Sequence, residues 1–100
     1  MKPSRLYDET RKKALQDPKV AAAYLEECLQ DGNMKLFTAA LKHVAEARGG
    51  VARLSKATRL NREALYRTLS KSGNPRLDTL AKVLGAMGLR LGVVSESLHS

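Results

Sequence analysis

Four side chains between residues 62 and 67 have the chemistry and the spacing of a DNA-reading surface, namely Arg62, Glu63, Tyr66 and Arg67. Leu65 and Leu69 are one helical turn apart, so their burial would leave the four polar side chains on the exposed sides of one helix. Arg matches O6 and N7 of guanine, Glu accepts a hydrogen bond from N4 of cytosine, and Tyr reaches a phosphate or a thymine methyl group. The pattern predicts a helix that reads bases in the major groove of double-stranded DNA.

Further polar and basic residues around this helix are expected to contact phosphates. Asn61 stands at the N-cap position, where the free N–H groups of a helix point toward anions. The expected phosphate-binding residues are Arg53, Asn61, Lys71, Asn74 and Arg76. Such contacts hold a protein on the duplex, whereas base contacts give it sequence preference.

Two short helices joined by a tight turn would position these residues. Val51 and Leu54 would be buried on the first helix, over 51–57, and Leu60 would lie in the turn. The second helix would extend from residue 62 to about residue 70. An ordinary helical hairpin of a bundle has the same pattern, so the pattern alone leaves both interpretations open.

Caps and apolar stripes predict three more helices, which makes the chain an all-α protein of five helices. Asp17 would cap a helix over about 18–31, and Asn33 would cap a second helix that ends at Gly49 and Gly50. The last helix would span about 77–87. Its apolar face is predicted to consist of Leu77, Leu80, Ala81, Leu84 and Met87.

The ends of the chain have different patterns. Leu89, Leu91 and Val93 alternate with other residues in the two-residue period of a short β-strand over 89–94. Because no second strand is visible, this segment is expected to pair with its copy in a homodimer. The alternative is an extended tail that packs on its own core. Residues 1–17 are predicted to be a partly flexible tail, either disordered or with a transient helix around 8–15, and the domain proper covers 18–95.

The charge of the chain is uneven. The net charge is +8, yet residues 1–32 carry six basic and six acidic side chains. Residues 51–90 contain nine Lys or Arg and two acidic residues, a net charge of +7. A basic surface in one part of a small domain is typical of a polyanion-binding protein, although it also occurs as a solvated surface.

Composition argues against several other classes of protein. The lone Cys28 permits no disulfide within the chain, and His43 and His99 lie far apart, so we expect no enzyme activity, metal site or cofactor. Four aromatic residues are too few for the stacking platforms of an RNA-binding sheet. No apolar stretch approaches the roughly 20 residues that cross a bilayer, which predicts a cytoplasmic protein without membrane contact.

The run GGVARLSKATRLNREALYRTLSKSGNPRLDTLAKVLGAMGLRLGVV, residues 49–94, resembles the Xre-type, lambda-repressor-like helix-turn-helix domains. More narrowly, it resembles the HigA-like addiction-module antidote (antitoxin) proteins of bacteria. The pieces that carry the resemblance are VAEARGG at 44–50, LNREALYR at 60–67 and GNPRL at 73–77. Three positions depart from the family pattern. Arg59 replaces a turn glycine whose backbone often needs positive φ, Ser55 replaces an alanine, and Arg76 replaces a small polar cap.

The resemblance implies a homodimeric repressor that binds an inverted-repeat operator and neutralises a toxin of the RelE/ParE-like (HigB-like) class. Such toxins are usually basic, so the neutral residues 1–32 are the expected toxin-binding part. Three alternatives remain open at this stage. They are a stand-alone or prophage repressor without a toxin, a protein-binding inhibitor module without a specific DNA target, and a non-specific DNA-packaging protein.

Overall fold

The computed structural model describes the backbone of residues 4–70 and 74–96 and the side chains of residues 9–70 and 74–96. These residues form six α-helices and no β-strand. In chain order the helices are α1 Ser4–Ala14, α2 Pro18–Gln30, α3 Met34–Ala47, α4 Gly50–Thr58, α5 Arg62–Thr68 and α6 Leu77–Ala86. The predicted all-α class is therefore confirmed. None of the described helices is long and apolar enough to cross a membrane.

Side-chain caps begin α2 and α3 at the residues that the sequence predicts. The Asp17 side chain accepts a hydrogen bond from the backbone N–H of Lys19 at 2.9 Å at the start of α2. The Oδ1 atom of Asn33 accepts from the N–H of Leu36 at 3.1 Å at the start of α3. Each bond satisfies an N–H group that the first turn of a helix leaves unpaired, which fixes where the helix begins.

Helix α1 brings the number of helices to six, whereas five were predicted. Residues 1–17 were expected to be a partly flexible tail, but α1 lies within them and packs against α3. Leu15 is buried in the common core, and Nη1 of Arg48 donates a 2.8 Å hydrogen bond to the carbonyl of Gln16. The helix depends on these tertiary contacts because its own sequence is strongly polar.

The core lies where α3 meets its neighbours α1, α2 and α4, and α4 in turn contacts α5 and α6. Its largest fully buried side chains are Phe37, Leu41, Leu54, Leu65, Val44 and Val83. On α6 the predicted apolar face is partly wrong: Leu77 is 71% exposed and Ala81 is exposed, whereas Val83 is fully buried. Leu80 is half-buried against the core, and the fully packed part of α6 lies in its second half, at Val83 and Leu84.

The predicted C-terminal strand is absent from the described residues, since 89–96 have no regular secondary structure. Gly88 has φ of +79°, and the N–H of Leu89 donates to the carbonyl of Leu84 at 2.8 Å. This is the hydrogen bond of a Schellman motif, which ends a helix at a left-handed glycine and brings the two flanking apolar residues together. Leu89 and Leu91 are half-buried against the core of the same chain, and Val93 is fully exposed.

Candidate nucleic-acid interface

Helix α5 exposes all four of the predicted base-reading residues. Leu65 is fully buried, and Thr68 and Leu69 are nearly so, which anchors one side of the helix. The hydroxyl of Thr68 donates to the carbonyl of Ala64 at 2.9 Å, so this buried polar group is satisfied within the helix. The residues on its other sides that lie exposed to solvent are Arg62, Glu63, Tyr66 and Arg67.

The first turn of α5 is held by its cap. The Oδ1 atom of Asn61 accepts from the N–H of Ala64 at 2.7 Å. Asn61 was predicted both as the cap and as a phosphate ligand. Its side-chain oxygen is used by the cap, which leaves the amide NH₂ as the group that can donate to an anion.

Arg62 and Tyr66 line an open groove of about 490 Å³ between α3 and the α4–α5 pair. Lys42 and Glu46 of α3 and Val51 of α4 contribute to the same groove. Tyr66 is 59% exposed, a large fraction for an aromatic side chain in a protein with a small core. An exposed aromatic residue between cations is typical of a binding surface rather than of a packing contact.

The other predicted phosphate ligands are spread over several parts of the surface. Arg53 is exposed and lines a polar groove of about 310 Å³ together with Gln16 and Arg48, apart from Arg62 and Tyr66. Asn74 is exposed at the approach to α6. Lys71 lies outside the described residues.

Arg76 forms an ion pair at the start of α6. Its Nε atom lies 3.2 Å from Oδ1 of Asp78, and both side chains are largely exposed. The backbone N–H of Thr79 holds the pKa of Asp78 below its ordinary value, and the charge of Arg76 lowers this pKa further. Because the pair is exposed, an incoming phosphate can compete with Asp78 for the guanidinium.

The turn between α4 and α5 has a left-handed residue, Arg59, with φ of +64°. This φ agrees with the expectation that the position has positive φ, a conformation that glycine adopts without strain. The hydroxyl of Ser55 donates to the carbonyl of Leu60 at 2.7 Å across this turn. Neither Arg59 nor its exposed neighbour Lys56 was among the predicted ligands, although their charges beside Asn61 were a visible signal.

The cysteine and histidine of the described chain have structural surroundings. Cys28 is 6% exposed, and burial raises the pKa of its thiol, with a further increase from the carboxylates of Asp31 and Glu27. A raised pKa disfavours the reactive thiolate. His43 is half-buried and shares a 3.0 Å hydrogen bond between its Nδ1 atom and the hydroxyl of Tyr24. Within the described residues no three His, Cys, Asp or Glu side chains come together as a metal site.

Comparison with known proteins gives the family. Residues 7–95 match the family described as "Probable addiction module antidote protein". An uncharacterized protein of Haemophilus influenzae (strain Rd) is 39% identical over 70 residues, which cover 70% of this chain and 71% of that protein. No solved structure gives a significant match. The family match extends from α1 through α6 to the exposed segment after it, and so includes every described part of the candidate interface. The chain therefore belongs to the family of probable addiction module antidote proteins.

Proposed function

We propose that this antidote protein is also a sequence-specific repressor that binds double-stranded DNA through α5 and regulates its own operon. The observation that carries the proposal is the arrangement of α5. Its buried side is fixed by Leu65 and Leu69, while Arg62, Tyr66 and Arg67 are exposed. In this proposal α4, the three-residue turn and α5 are a helix-turn-helix unit of the lambda-repressor-like type, whose second helix would enter the major groove. The net charge of +7 over residues 51–90 adds attraction to the backbone.

Titration of the purified chain against a duplex of its own promoter, with a scrambled duplex of equal length and composition, tests this proposal. Specific DNA-binding proteins prefer their sites by about 10³-fold or more at physiological salt. We expect a preference of at least that order. Equal affinity for both duplexes would instead favour non-specific packaging, and no affinity for either would favour a protein-binding module.

The C-terminal segment supports a homodimer as the DNA-binding form. Val93 is fully exposed and Val94 is 78% exposed, so the single chain leaves two apolar side chains in contact with solvent near the end of its described part. The N–H of Leu89 is used by the bond to Leu84, but residues 90–96 have no regular secondary structure in the single chain, and their backbone would pair with a second copy. A two-fold ribbon over 89–94 would match the two-fold symmetry of an inverted-repeat operator.

Val93→Asp is expected to shift the protein from dimer to monomer. The side chain is fully exposed in the single chain, so the change leaves the monomer fold intact and places a charge among apolar side chains only at the proposed ribbon. Analytical ultracentrifugation should show at least a roughly tenfold weaker dimer, about 1.4 kcal/mol. Ser95→Asp, which adds the same charge outside 89–94, is the control. An unchanged dimer in Val93→Asp would place the dimer interface elsewhere.

The toxin is proposed to bind near α2, away from the basic surface. A groove of about 440 Å³ lies between α2 and the C-terminal segment, and its walls are mostly apolar. Leu25 and Leu29 of α2 and Leu91 line it, together with one acidic and one basic side chain, Glu26 and Arg90. Apolar walls fit a protein partner, and the exposed Glu26 on α2 is the carboxylate that would pair with a basic toxin of the RelE/ParE-like class.

Glu26→Lys is expected to lower toxin affinity by about tenfold or more, mainly through a slower association rate that depends on salt. Operator binding should be unchanged, and both affinities can be measured by surface plasmon resonance. Glu46→Lys on α3, also exposed but on the groove with Arg62, is the matched control. Deletion of residues 1–16 would not test the toxin site, because it also removes the buried Leu15 and exposes the core. Equal effects of the two reversals on toxin binding would contradict a site at α2.

A further inference from the structure

We infer that Arg59 binds a backbone phosphate of the DNA from the turn between α4 and α5, and that this contact accounts for an arginine at a left-handed position. The inference rests on the proposed DNA-binding function and deepens it by adding a ligand that the sequence pattern did not assign. Three observations carry it: the backbone conformation of Arg59, the hydrogen bonds that impose this conformation, and the charges around it.

The backbone of Arg59 is in a conformation that arginine does not favour. Its φ is +64° and its ψ is +14°, in the left-handed helical region. The other described residues with positive φ are all glycines, at positions 32, 49, 50 and 88. Glycine adopts this region freely, whereas a residue with a Cβ atom meets steric resistance there. An arginine at such a position lowers the stability of the fold, so folding alone does not account for it and a role of its side chain does.

Hydrogen bonds on both sides of Arg59 hold the turn in place. The backbone N–H of Arg59 donates to the carbonyl of Ser55 at 2.9 Å, and the Ser55 hydroxyl donates to the carbonyl of Leu60 at 2.7 Å. The N–H of Leu60 donates to the hydroxyl of Thr58 at 3.2 Å. A strained residue persists only when its surroundings over-determine it, and such residues concentrate at functional sites. The turn therefore keeps Arg59 in one conformation immediately before the Asn61 cap.

The charges around the turn also oppose folding in the absence of a partner. Lys56, Arg59 and Arg62 follow one another at intervals of three residues and are all exposed. Within the described residues none of the three forms an ion pair with a carboxylate. Three adjacent cations repel one another, and a polyanion converts that repulsion into attraction.

Double-stranded DNA fits this arrangement. The α-carbon of Arg59 lies within about 11 Å of that of Arg62, because only three peptide units separate them. A helix fills the major groove, which is roughly 12 Å wide, so residues just before its N-terminus lie against the groove wall that carries the phosphates. The guanidinium of Arg59 would donate to phosphate oxygens there, a contact that positions α5 without reading sequence.

The test compares Arg59→Gly and Arg59→Gln with the wild-type protein. Both lose the charge, but only glycine relieves the left-handed strain. We expect Arg59→Gln, which removes only the charge repulsion, to unfold at or slightly above the wild-type temperature, and Arg59→Gly, which also removes the left-handed strain, to unfold several degrees higher. On promoter and scrambled duplexes alike, both variants should bind about 3- to 10-fold more weakly, with a salt dependence reduced by about one ion per site. Arg59→Lys should retain most of the affinity. Lys19→Gln, an exposed cation at the start of α2, is the control for charge alone.

The outcomes separate this inference from the proposed function. If the wild-type protein prefers its promoter and Arg59→Gly binds with unchanged affinity and salt dependence, the phosphate contact is refuted and the repressor function stands. A loss of preference at a single base pair in Arg59→Gln would likewise refute it, because Arg59 would then read a base. Failure of the wild-type protein to bind either duplex would overturn both.

Discussion

Arg62→Ala and Arg67→Ala should each lower operator affinity by about 5- to 150-fold per half-site, while the folded state keeps its stability. Loss of a bidentate guanine contact costs roughly 1–3 kcal/mol. Both side chains are exposed on α5, and exposed substitutions usually change stability by less than about 0.5 kcal/mol. Fluorescence anisotropy on the promoter duplex gives the affinity, and urea unfolding gives the stability.

Two further variants make this result interpretable. Arg76→Ala removes a charge of equal sign outside α5, and it should weaken promoter and scrambled duplexes alike because a phosphate contact carries no sequence information. Lys12→Ala removes an exposed charge from the end of α1 and should have little effect on either. If Arg62→Ala and Arg67→Ala both bind the promoter as the wild-type protein does, α5 is not the reading helix.

Leu65→Ala should have the largest effect on stability, about 2–5 kcal/mol out of the 5–15 kcal/mol typical of a small domain. Leu65 is fully buried and is the main anchor of α5, so its truncation leaves a cavity beneath the reading surface. Urea unfolding measures the loss. Leu77→Ala removes the same atoms from a side chain that is 71% exposed, and its cost should be below about 1 kcal/mol. Similar costs for the two variants would contradict the packing of α5 described above.

The parts of the fold that depend on local chemistry could be predicted from the sequence. Asp17, Asn33 and Asn61 each cap the helix that was assigned to them, because a capping side chain bonds to a backbone N–H two or three residues away. The exposure of Arg62 and Tyr66 followed from the spacing of the leucines on α5. A cap or a helical stripe needs no knowledge of the rest of the chain.

The parts that depend on distant contacts could not be predicted. Helix α1 has few apolar residues of its own and acquires its place from α3, more than 20 residues further along the chain. Val83 is buried and Leu77 is exposed because the neighbours of α6, and not its own pattern, decide where burial begins. The apolar residues Leu89 and Leu91 fit a strand, but they fit equally well a helix-terminating motif with its apolar contact. Only the hydrogen bond from Leu89 to Leu84, which the sequence does not show, distinguishes the motif from the strand.

The reading of single base pairs by α5 is most directly tested by combining the Arg62→Ala variant with operator substitutions. Each base pair of one half-site is changed in turn, and the affinity of wild-type and variant protein is measured for every duplex at fixed salt. We predict that the wild-type protein loses about 1–3 kcal/mol at one G·C pair to which Arg62→Ala is indifferent, while both proteins respond alike at the remaining positions. Identical profiles for the two proteins at every position would contradict base recognition by Arg62.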